Sequence, residues 1–142
     1  MTAESPVHEV RVSLTVADFD AALTFYRDAL GLPEIEAYAD SGRVSILGAG
    51  RATIEIIDEQ HAAEVDDIEV GRRVAGPVRL ALRVADSSAT AQRLADAGAT
   101  IVGGPVVTPW RDRNVRLDPP QGVQLTLFTP EDHGSQSQSA AV

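Results

Sequence analysis

The chain has 142 residues, 44% of them hydrophobic and 23% charged, with a formal charge of −9 at pH 7 and no cysteine. That size and balance suit one globular domain or two small modules sharing a core, and exclude a disordered chain. The acidic surface repels phosphate backbones and argues against nucleic-acid binding, while the lack of cysteine removes disulfides, thiolate metal sites and a cysteine nucleophile. No apolar run approaches the roughly 20 residues of a membrane helix. The opening MTAESPVHEV carries no apolar signal core. A soluble cytoplasmic protein that binds no membrane is the expectation.

Residues 1–6 read as a loose arm. Residues 7–16 alternate, with Val10, Val12, Leu14 and Val16 on one face and Arg11, Ser13 and Thr15 on the other, the period-two pattern of a half-buried strand. Asp18 is placed to cap a helix. Phe19, Ala22, Leu23, Tyr26 and Leu30 then recur at helical spacing, and Phe25 and Tyr26 read as helix core. Gly31 and Pro33 end that helix. Three short strands follow, over 34–39, 44–47 and 52–57, separated by the turn signals Asp40-Ser41-Gly42 and Gly48-Ala49-Gly50. Residues 61–76 form an acidic linker, of which a part can make a helical turn, and its charge reads as a solvated surface.

The chain then repeats itself. Val84-Ala85-Asp86 matches Val16-Ala17-Asp18, and Leu82 and Arg79 match Leu14 and Arg11, all at one offset; such an internal repeat fixes the architecture. A strand over 78–84 leads to a helix capped by Asp86 or Ser87 and ended by Gly98. Strands over 100–102, 112–117 and 123–129 complete the copy, with the turn Asp118-Pro119-Pro120-Gln121-Gly122 before the last. The polar residues 134–142 read as a disordered tail. The expected organisation is a first module over 7–60, a linker over 61–76, a second module over 77–130 and a tail over 131–142. Each module runs strand, helix and three strands, with an apolar face that must be buried under its helix. The opposite face collects Arg11, Ser13, Thr15, Glu55, Arg79, Arg83, Gln124 and Thr126. Two curved sheets facing one another would turn that face into a polar-lined cup, the kind of concavity in which ligands bind.

Paired modules of this form, Val16 and Asp18 before a helix ending in Phe25-Tyr26-Arg27-Asp28 with Leu30 and Gly31, and the late turn of Asp118, Pro119 and Gly122, resemble the vicinal oxygen chelate superfamily. That group includes glyoxalase I, bleomycin-resistance proteins and extradiol dioxygenases. Pro109-Trp110 before the seventh strand is similar too, and the likeness covers roughly residues 7–130. The resemblance implies an α+β fold: two βαβββ modules forming curved mixed sheets around a cup, with the helices on the outer face and a homodimer as the expected assembly. It says less about function, because one fold hosts many sites.

Metal-dependent members hold a divalent cation on the first and last strands of each module. The corresponding positions here are Arg11, Glu55, Arg79 and Thr126. Only Glu55 retains a donor of the usual type. A guanidinium stays protonated and has no lone pair to give. The expectation is therefore that the family metal site is lost and that no cofactor replaces it.

Two readings of the substituted positions are open. Arg11, Glu55 and Arg79 can form an internal ion-pair cluster in place of the metal, or an anion site with one positive charge in excess. Trp110, in the loop 109–113, can stack on a flat ligand or pack as core. Tyr38 can add a hydroxyl. The candidate ligand-binding residues are thus Arg11, Tyr38, Glu55, Arg79, Trp110 and Thr126, with Glu55 as the catalytic group if there is a reaction. His8, His61 and His133 are scattered and receive no role. The leading function is a small-molecule-binding protein with a polar Arg/Glu cup for an anionic or aromatic ligand. The alternative is an enzyme of the same superfamily: a metal-dependent lyase or dioxygenase, or a metal-free isomerase using Glu55.

Overall fold

The computed structural model describes residues 5–131; the start of the expected arm, His133 and all of the expected tail 131–142 but Glu131, which pairs with Arg113, lie outside them. In chain order the elements are β1 (Val7–Thr15), α1 (Phe19–Leu23), β2 (Glu34–Tyr38), β3 (Val44–Ala49), β4 (Ala52–Ile57), α2 (Glu59–Glu69), β5 (Val78–Val84), α3 (Ser87–Asp96), β6 (Thr100–Val107), β7 (Asp112–Asp118) and β8 (Leu125–Pro130). The repeat seen in the sequence is the repeat of the fold. Asp18 accepts from Ala21 N at 2.9 Å and Asp86 from Ala89 N at 3.0 Å, so the two matched aspartates cap the two matched helices.

All eight strands belong to one open sheet in the order β2-β3-β4-β1-β5-β8-β7-β6. Each module closes on itself through a parallel pair, β1 with β4 and β5 with β8, and the modules join through antiparallel β1 and β5. The cup is therefore built inside a single chain. On the sheet's outer face, Phe19 and Leu23 of α1 pack with Leu47, Ile56 and Leu14. Ala91 of α3 packs with Val84, Val115, Leu117 and Leu127. Each helix thereby covers the apolar side of its own module, as the alternation in the strands requires.

Three sequence expectations are corrected. First, Phe25 is not core: it is 60% exposed, while Tyr26 joins the outer core. Thr24–Ala29 is a π-helical turn, with Leu30 N bonding back to Phe25 O; its wider pitch turns Phe25 out of the face that ideal helical spacing assigns to it. Second, the sixth strand does not stop before Gly103 but runs through Gly103-Gly104-Pro105 to Val107, while the eighth begins at Leu125.

Third, the acidic linker is only in part a solvated surface: Glu59 and Asp67 are exposed, but Asp66 and Glu69 are buried. Residues Glu59–Glu69 form an eleven-residue helix, capped by Asp58, whose buried residues are Ala62, Asp66 and Glu69. This α2 lies on the concave side and crosses from one module to the other. Its Ala62 packs on Val44, Ile46 and Ile57 of the first module. Its far end is pressed onto β6, where a side chain at Gly103 would run into the Glu69 carbonyl. No helix of the described residues is long and apolar enough to cross a membrane.

Candidate functional site

A cavity of about 980 Å³ occupies the concave side, at the upper end of the range for small-molecule sites. Arg11, Tyr38, Glu55, Arg79, Trp110 and Thr126, the six residues singled out in the sequence, all line it. Strand register explains why they meet. Thr53, Arg11, Ala81 and Thr126 are successive partners across β4, β1, β5 and β8. Glu55, Ser13 and Arg79 form the neighbouring row.

The three charged residues of that set do not pair with one another. Arg11 binds Glu9 instead, with Nη2 at 2.9 Å and Nε at 3.1 Å from the same carboxylate oxygen. Thr53 donates to that oxygen at 2.7 Å, and the guanidinium lies over the Phe128 ring, 5.2 Å from its centroid. Burial works against the Arg11 charge, but Glu55 and Glu9 outweigh it and hold its pKa above the ordinary value. Arg79 is 4% exposed and gives Nη1 to Asp66 at 3.0 Å, leaving Nη2 without a partner. Burial and the nearby Arg116 lower its pKa. Glu55 makes no hydrogen bond or ion pair within the described residues, though it faces the field of both arginines.

Behind Arg79 stands a buried network that the sequence did not reveal. Asp66 accepts from Arg73, Arg79, Arg116 and the backbone N–H groups of Val74 and Ala75, at 2.8–3.0 Å. Burial alone would raise its pKa, but the Ala75 and Val74 amides and the Arg116 and Arg79 guanidinium groups hold it well below the usual carboxylate range. Arg116 is fully buried; its Nη2 and Nε bind Glu69 Oε1 at 2.8 and 3.1 Å. Asn114 Nδ2 donates to Glu69 Oε2 at 2.6 Å, leaving its own Oδ1 buried and unpartnered. Nothing in an acidic run announces that two of its carboxylates are buried. Glu9, by contrast, was legible: it lies two residues before Arg11, on the same strand face.

Aromatic side chains supply much of the rim. Trp110, 37% exposed, sits with its ring centroid 5.9 Å from that of His61 on α2, so this histidine does reach the cup. Tyr38 donates to Glu36 at 2.8 Å, and burial followed by this bond pushes its pKa up. Arg11, Arg79, Arg83 and Arg111 are the cationic lining; Glu9, Glu36, Asp40, Glu55, Glu64, Glu69, Asp112 and Glu131 are the anionic one. The cup is thus predominantly acidic, and both arginines offered as an anion site are already paired.

Asp112 is the most perturbed of these carboxyls. Burial pushes its pKa up to about 6, against the lowering pull of Arg11 and Arg83 and with a small push from Glu36 and Glu69. A carboxyl with a higher pKa folded than unfolded stabilises the fold while protonated, and that contribution is lost as pH rises from its ordinary value of 3.8 through about 6. Asp112→Asn is expected to melt close to the native protein at pH 4 and above it at pH 8. Equal melting differences at the two pH values in scanning calorimetry would contradict this.

The profile of the Glyoxalase/Bleomycin resistance protein/Dioxygenase superfamily matches residues 9–133, and the chain belongs to that superfamily. Among solved structures, methylmalonyl-CoA epimerase from Mycobacterium tuberculosis is 25% identical, with a TM-score of 0.63 over 93% of this chain and 94% of that one. Methylmalonyl-CoA epimerase from Streptomyces coelicolor, solved with 2-nitronate-propionyl-CoA, is 20% identical, with a TM-score of 0.61 over 90% of this chain and 99% of that one. A superfamily member from Vibrio splendidus is 13% identical, with a TM-score of 0.60 over 84% and 97% of the two chains. No curated protein matches the sequence significantly.

The resemblance to metal-dependent members implies a divalent cation, and the residues present do not fit one. Arg11 and Arg79 stand at two of the four expected positions without a lone pair to donate, and Thr126 offers only a hydroxyl. Among the described residues no group of three or more His, Asp or Glu is placed to hold a metal ion.

Proposed function

We propose that this protein is a metal-free small-molecule-binding member of its superfamily, with the cup as its ligand site. The observation that carries the reading is a cavity of about 980 Å³ within one chain, with aromatic residues in its lining and uncommitted polar groups on its floor. Between the anionic and aromatic ligands considered above, the lining favours the aromatic one. Arg11 and Arg79 are held by Glu9 and Asp66, and a carboxylate or phosphate would meet an acidic surface. Trp110 and Tyr38, which line the cup and are 37% and 44% exposed, are open to a flat ring. A cytoplasmic location and a homodimer belong to the same reading.

Elemental analysis after incubation with Mg, Mn, Fe, Ni and Zn and desalting is expected to find no stoichiometric metal. Titration with aromatic compounds is expected to quench the single tryptophan saturably. One metal per chain would overturn the reading and bring forward a metal-dependent lyase or dioxygenase. A second reading, a metal-free isomerase with Glu55 as base, is favoured by the unpartnered Glu55 carboxylate and by the likeness to methylmalonyl-CoA epimerase. It predicts deuterium exchange at the carbon between the two carbonyls of methylmalonyl-CoA, lost in Glu55→Gln.

A further inference from the structure

We propose that the floor of the cup is a subsite for a neutral amide-type group, one that presents an N–H and a C=O on the same edge, as a carboxamide or a lactam does. The inference rests on the binding reading above and specifies the chemistry of its ligand. Glu55, Ser13 and Arg79 are direct partners on three adjacent strands, and all three line the cavity. Ser13 Oγ and Arg79 Nη2 are buried and have no hydrogen-bond partner among the described residues, in side chains of residues 2% and 4% exposed. Buried polar groups are rarely left unpaired, because their desolvation is not otherwise recovered. The row therefore reads, from β4 to β5, as an acceptor, a hydroxyl able to do either, and a donor. Asn114 Oδ1, also buried, unpartnered and from a residue lining the cavity, adds a second acceptor.

Charge decides among the groups that could answer this row. A carboxylate would satisfy Arg79 Nη2 and Ser13 but bring a like charge to Glu55, into a lining where acidic groups outnumber basic ones. An ammonium or amidinium would satisfy Glu55 but has no acceptor for Arg79 Nη2 and would stand beside a guanidinium. An amide offers its N–H to Glu55 and its C=O to Arg79, adds no charge, and continues flat into a ring that the aromatic lining can cover.

Three probes of one size, benzamide, benzoate and benzamidinium, separate these cases by ligand-observed NMR and tryptophan quenching. The native protein is expected to bind benzamide about tenfold more tightly than either charged probe, the scale of one unmet buried hydrogen bond. Glu55→Gln keeps an acceptor, removes the charge and adds a donor. Benzamide is then expected to weaken about threefold, because a charge-assisted bond becomes a neutral one, while benzoate gains about tenfold and becomes the tighter binder of the two. If benzoate or benzamidinium binds the native protein most tightly, or if Glu55→Gln leaves the ratio of benzamide to benzoate unchanged, the amide subsite is wrong and the binding reading stands. Absence of saturable binding by all three overturns the binding reading and the subsite with it.

Discussion

Asp66→Ala is expected to cost about 3–5 kcal/mol, the usual loss when one partner of a buried ionic network is removed. Two guanidinium groups, those of Arg79 and Arg116, are nearly or wholly buried and share Asp66 Oδ1. Alanine leaves Arg79 without any ion-pair partner and Arg116 with Glu69 alone. The Val74 and Ala75 amides lose their acceptor at the same time. Since small domains are stable by only about 5–15 kcal/mol, this is a large share of the total. The exposed pair Arg43–Asp20, by contrast, should be removable for less than about 1 kcal/mol. The same network sets the acid limit. The Asp66 pKa is depressed on folding, so its stabilising contribution is whole above its ordinary value of 3.8 and is lost as pH falls below that. Urea titrations at pH 7 and pH 3 test both statements. An Asp66→Ala protein with native stability at pH 7 would refute the first.

Gly103→Ala is expected to destabilise the protein by about 2–3 kcal/mol or more. The new Cβ would collide with the Glu69 carbonyl and the Val70 Cα, both backbone atoms that no rotamer change can move aside. The end of α2 must then lift from β6, and Glu69 is drawn away from Arg116 and Asn114. Gly76→Ala is the matched control, since a Cβ there meets nothing within 4 Å. Equal midpoints for the two variants in urea would show that α2 is not seated as described.

The architecture was legible because it is written in period and punctuation. Val12 and Leu14 face the same way as Leu80 and Leu82, and two aspartates cap two helices at matching places. The convergence of Arg11, Glu55, Arg79 and Thr126 on one cavity was implied by the family resemblance, and strand alternation agreed by putting all four on the same face. Of their partners, Glu9 was accessible too, two residues before Arg11 on its own strand face, and Asp66 was not. Asp66 and Glu69 belong to a helix whose buried stripe is ionic rather than apolar, so hydrophobic periodicity is blind to it. Arg116 reads as an ordinary polar residue of a strand, and only burial under α2 makes it the anchor of the network. Phe25 failed for another reason: a π-helical turn is invisible to a pattern that assumes 3.6 residues per turn.

Two modules related by an approximate twofold axis would ordinarily offer a visitor to the cup two equivalent ways to lie in it. A single helix cannot obey that axis. By starting over Val44, Ile46 and Ile57 and ending over Arg116 and Asn114, α2 makes one half-cup greasy at its root and the other ionic. The duplicated frame thus becomes a polarised container with a head and a tail. A molecule bound in the cup as proposed would meet two unlike ends, and so one preferred orientation in each chain.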